Sequence, residues 1–161
     1  MANRAIRTLW ALSLCVAGVM PAWAERLDDS ASPRARVQAT IEATGAAAGS
    51  PYVLATFRGV EYRLATGAYV GRRARISLVV PMLIDGLRSP AGLRLEWRGA
   101  GAFASGAAGP GERRVVWVGT VPAPWMVERL DLRMQLDLRE WRATSLRALN
   151  VETYFEIEVM P

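Results

Sequence analysis

Apolar and polar residues alternate with a period of two along most of the chain beyond its first two dozen residues. That period belongs to strands with one buried face, whereas a helix needs apolar positions three and four apart. Val37, Ala39, Ile41 and Ala43 alternate with Arg36, Gln38, Thr40 and Glu42, which predicts a first strand. Val53, Ala55 and Phe57 lie on one parity and Val60, Tyr62 and Leu64 on the other, so a bulge or turn is expected at Gly59. Ala74, Ile76, Leu78 and Val80 form the next run, ended by Pro81, and Leu93, Leu95 and Trp97 the one after it. Val115 to Val118 is apolar on both parities, which predicts a strand inside a sheet. The longest alternation is Leu130, Leu132, Met134, Leu136 and Leu138, and the last is Val151, Thr153, Phe155, Ile157 and Val159.

Turn residues separate these runs: Gly49 with Pro51, Gly67 with Gly71, Asp85-Gly86, Ser89-Pro90, a Gly/Ala-rich loop from Gly99 to Gly111, and Pro122-Ala123-Pro124. Short strands at this spacing predict an all-β fold, a single immunoglobulin-like antiparallel β-sandwich of about seven to eight strands. A small closed β-barrel is the alternative. The sandwich is expected over residues 35–161, and the polar, aperiodic residues 25–34 read as a flexible leader.

The N-terminus has a different pattern. Arg4 and Arg7 precede an apolar run of about a dozen residues from Leu9 to Met20, followed by Pro21 and the small-x-small triplet Ala22-Trp23-Ala24. This is the layout of a Sec-type signal peptide over residues 1–24, and the run is too short for a spanning helix of about 20 residues. Bulky Leu14 before Cys15 fits a lipidation site poorly. Export is therefore expected, to the periplasm first, with the cell surface or the medium as alternatives.

Removing residues 1–24 leaves 137 residues without cysteine, so packing rather than disulfides must hold the core. The chain contains no histidine and no lysine. Ser-His-Asp, Cys-His and Ser-Lys catalysis and His- or Cys-based metal sites are excluded, and no cofactor, metal or catalytic residue is expected. Carboxylate chemistry survives, with Glu152, Glu156 and Glu158 on one strand and Asp131 and Asp137 on another. These acids occupy positions a strand exposes, and Arg129, Arg133 and Arg139 are available as cross-strand partners.

The candidate interaction residues are the arginines at strand entrances, Arg72, Arg73, Arg75, Arg113 and Arg114, together with Phe103, Trp125 and Trp141. Guanidinium groups grip carboxylate or phosphate bidentately, and exposed indoles suit sugar or protein contact. A non-enzymatic module that binds or assembles with an envelope protein or anionic polymer is the leading expectation, and nucleic acid is not expected as a partner. A carbohydrate-binding domain, a periplasmic carrier of an apolar ligand and a pilin-like subunit donating the strand Val37 to Ala43 are the alternatives.

Overall fold

The computed structural model describes residues 23–33, 40–43, 51–142 and 151–161. The run assigned to the signal peptide, apart from its last two residues, lies outside them. Nine strands are described: β1 (Glu25–Arg26), β2 (Thr40–Ala43), β3 (Tyr52–Ala65), β4 (Arg73–Val79), β5 (Leu93–Gly99), β6 (Gly106–Ala108), β7 (Arg113–Thr120), β8 (Trp125–Asp137) and β9 (Tyr154–Val159). They form two antiparallel sheets, one in the order β1-β9-β4-β7 and the other β2-β3-β8-β5-β6. This is the all-β sandwich that the alternation predicts, and each sheet keeps its own edge strands rather than closing into a barrel.

The parity of each run decides what it buries. Ala74, Ile76 and Leu78 of β4, and Phe155 and Ile157 of β9, face Leu64 of β3, Leu93, Leu95 and Trp97 of β5, and Leu130, Met134 and Leu136 of β8. A contiguous core of this size supplies the main favourable contribution to folding, at about 25 cal/mol per Å² of apolar surface removed from water. Tyr62 and Phe103 both pack on the Phe155 ring, with centroids 5.0 and 5.7 Å away.

Three expectations are corrected. The flexible leader is instead docked: Glu25 and Arg26 pair with Ile157 and Glu156, the Leu27 N–H donates to the Phe155 carbonyl at 2.8 Å, and the Leu27 side chain is buried. Leu27 is the one large apolar residue in a polar stretch, too little to register as a period but enough to anchor a strand end. Secondly, β7 is an edge strand and not an interior one. A bulge at Val116 changes the parity between Val115 and Trp117, so Val115 and Val118 both face outward while Val116 is buried. Thirdly, the loop from Gly99 to Gly111 contains β6 and closes over one end of the sandwich, tied by Trp97 Nε1 donating to the Ala104 carbonyl and the Ala104 N–H donating to Val116.

Candidate functional site

The outer face of the five-stranded sheet follows from the same alternation. On β8, Met126, Leu130, Met134 and Leu136 point inward, which leaves Trp125, Val127, Arg129, Asp131 and Arg133 outward. On β5, Leu93, Leu95 and Trp97 are buried and Arg94, Glu96 and Arg98 face solvent. The bulge of β3 brings Arg58 to the same face. Gly59, at φ 62°, turns its N–H to Asp131 Oδ1 at 2.7 Å, a backbone conformation that a side chain at 59 would strain.

These positions form an open groove of about 320 Å³, lined on its polar side by Thr56, Arg58, Glu96, Arg98, Asp131 and Arg133. Glu96, Arg133 and Thr56 share one cross-strand row, and Arg98 lies opposite Asp131 in the next. Seven arginines elsewhere make ion pairs: Arg63, Arg75, Arg94, Arg113, Arg114, Arg129 and Arg139. Arg58, Arg98 and Arg133 have no side-chain hydrogen bond or ion pair with any described residue. Both acids of the groove are already engaged, Asp131 by the Gly59 N–H and Glu96 by Arg94 at 3.6 Å. These three guanidinium groups around one groove, fifteen N–H bonds by their chemistry, are donors without an acceptor among the described residues.

The residues singled out in the sequence divide between the two sheets. Arg73, Arg75 and Arg113 face outward on the four-stranded sheet, so the two arginine clusters share a surface, but acids interleave them. Arg75 clasps Glu158 through Nε and Nη2 at 2.6 to 2.9 Å, and Arg113 lies 3.1 Å from Glu156 Oε2, an ion pair whose geometry is not that of a directed hydrogen bond. Arg114 pairs with Glu112 at 3.2 Å. Arg72 and Arg73 are exposed at the entrance of β4. Phe103 is corrected as an interaction residue: only 3% of it is exposed, because its loop folds back and inserts the ring beside Phe155. Trp125 is 51% exposed on the same face as the groove, and Trp141 is half-buried where it bridges to Leu87.

The sheet carboxylates are held as salt-bridge partners. Hydrogen bonds from Arg129 and then Arg63 hold the Glu61 carboxyl below its ordinary value, and Arg139 does the same for Asp137. Arg139 is therefore a local partner of Asp137, two residues away, while Arg129 reaches Glu61 across the β3–β8 ladder. Asp131, held by the Gly59 N–H, and Glu128 depart from this scheme. Glu128 is buried on the inner side of β8, with Oε1 accepting the Ala102 N–H at 3.0 Å and Oε2 without a hydrogen-bond partner among the described residues. Among those residues no group of three or more acids converges as a metal site would require.

Arg58 carried no signal in the sequence, and Arg98 and Arg133 were legible only as outward positions. Their convergence depends on the β3 bulge and on the β5–β8 register, neither of which a one-dimensional pattern specifies. Comparison with known proteins adds no constraint: no family model, curated protein or solved structure matches the chain.

Proposed function

We propose that this protein is an exported, non-enzymatic β-sandwich module that binds another component of the cell envelope through the outer face of its five-stranded sheet. The observation that carries this reading is the groove whose three arginines lack a partner within the described residues. The signal-like N-terminus and the missing histidine, lysine and mature-chain cysteine support export and a binding role. The space between the sheets is filled by Leu64, Ile76, Leu78, Leu95, Leu130 and Phe155, which favours a ligand on the outer face over an apolar one carried inside. Of the strand Val37 to Ala43 expected to be donated, residues 37–39 lie outside the described residues and Thr40–Ala43 pairs with β3 of its own chain, which weakens the pilin-like alternative.

A photo-crosslinking side chain placed at Arg98 in living cells tests the reading, with the same group at Val118 on the opposite sheet as the control. The proposal expects a discrete adduct from position 98 and none from 118, on a chain whose intact mass begins at Glu25. Adducts from 118 alone, or a chain retained in the cytoplasm, would overturn it. Turnover of any substrate that is abolished by Glu156→Gln would contradict the non-enzymatic part.

A further inference from the structure

Resting on that reading of the outer face, we infer that the groove's ligand is an acidic polysaccharide, a chain of sugars bearing carboxylates, which runs along β8 from the arginines toward Trp125. Arg58 on β3 and Arg98 on β5 flank β8, so their backbones lie two strand spacings apart, about 10 Å, and Arg133 is about 7 Å along β8 from the Asp131 row. Anchors so spread suit anions repeated along a chain better than one compact ion. Asp131 and Glu96 lie among these arginines in the groove. A ligand of pure negative charge meets these carboxylates unfavourably, whereas a sugar offers them hydroxyl donors while its own carboxylate meets a guanidinium fork. Trp125 is exposed on the same sheet face, six residues from Asp131 and so about 20 Å along the strand. An indole there provides a stacking platform that a short ligand held in the groove cannot reach.

The test measures binding of polygalacturonate, polyphosphate and neutral dextran to the purified protein, by calorimetry and by Trp fluorescence. Polygalacturonate is expected to bind with an affinity that falls as salt rises, and dextran and polyphosphate to bind at least about tenfold more weakly. Arg98→Ala and Arg133→Ala are each expected to weaken it about tenfold, while Arg98→Lys, which keeps the charge and loses the fork, falls between. Trp125→Ala should weaken the polymer and leave digalacturonate unaffected. Arg73→Ala, on the other sheet, should change nothing, and unchanged melting temperatures confirm that the variants fold. Preference for polyphosphate, equal binding of dextran, or polygalacturonate binding indifferent to all the groove variants overturns the inference. If polygalacturonate does not bind while position 98 still crosslinks a partner in cells, the ligand class is wrong and the binding face stands.

Discussion

Phe103 is the sharpest case of a residue whose surroundings reverse its reading. A lone aromatic in a Gly/Ala-rich loop suggests an exposed contact, yet the ring closes the end of the core against Phe155. Phe103→Ala is expected to destabilise the fold by about 3 to 5 kcal/mol without weakening ligand binding, measured by urea denaturation beside a binding titration. The same loop depends on Gly99, because a Cβ there would overlap the Phe103 carbonyl oxygen. Gly99→Ala should therefore cost about 1 to 3 kcal/mol, with no change in the slope of the urea transition. The bidentate Arg75–Glu158 clasp looks stronger than it is. Both side chains are partly in solvent, so Arg75→Ala is expected to cost no more than about 1 kcal/mol.

At the scale of the elements, the strands were legible because each has one buried face, and strict alternation identifies it. Leu130 to Leu138 foretold most of β8, and the parity change at Gly59 foretold the β3 bulge. Position within a sheet was not legible. Val115 to Val118 is apolar on both parities in an edge strand, since the bulge at Val116 turns two valines outward and the loop at Ala104 covers the middle of that edge. The groove was illegible for a related reason: alternation says which residues face out, and only register says which of them meet. β1 also escaped the pattern, being two residues long. Leu27→Ala should destabilise the fold by about 2 to 5 kcal/mol, a loss that a flexible leader would not show.

The pairing of acids along the sheets gives these elements a definite pH response. Glu61, Asp137 and Glu112 are held below their ordinary values, Glu61 by Arg129, Asp137 by Arg139, and Glu112 chiefly by the Gly109 N–H. Carboxyls lowered in the folded state contribute fully above their unfolded values, 4.5 for Glu and 3.8 for Asp, and that contribution is lost as the pH falls through the folded values. The melting temperature should therefore hold between about pH 7 and pH 5 and decline below about pH 4. Tyr69 acts at the other extreme. Burial, reinforced by its 2.6 Å hydrogen bond to Glu25, pushes its hydroxyl up to about 12, so the clasp on β1 persists until the pH rises through that value.

For the whole molecule, the two outer faces differ in kind. On the four-stranded sheet Arg75, Arg113 and Arg114 are paired with Glu158, Glu156 and Glu112, Arg73 at the start of β4 is without a side-chain partner among the described residues, and Val115 and Val118 are exposed beside them. On the five-stranded sheet Arg129 is paired with Glu61, while Arg58, Arg98 and Arg133 line one groove without a partner among the described residues and Trp125 stands exposed further along the strand. The chain's modest positive charge is thus less informative than its distribution, because a mild net excess becomes a recognition surface only where cations are left without acids. The most direct measurement is a nuclear magnetic resonance titration of the isotopically labelled protein with polygalacturonate, following the backbone amides, the arginine Nε–H groups and the indole N–H groups. Shifts are expected at Arg58, at residues 96–98, along residues 127–133 of β8, and at the Trp125 indole. Shifts centred instead on Val115, Val118 and Arg73 of the opposite sheet would contradict it.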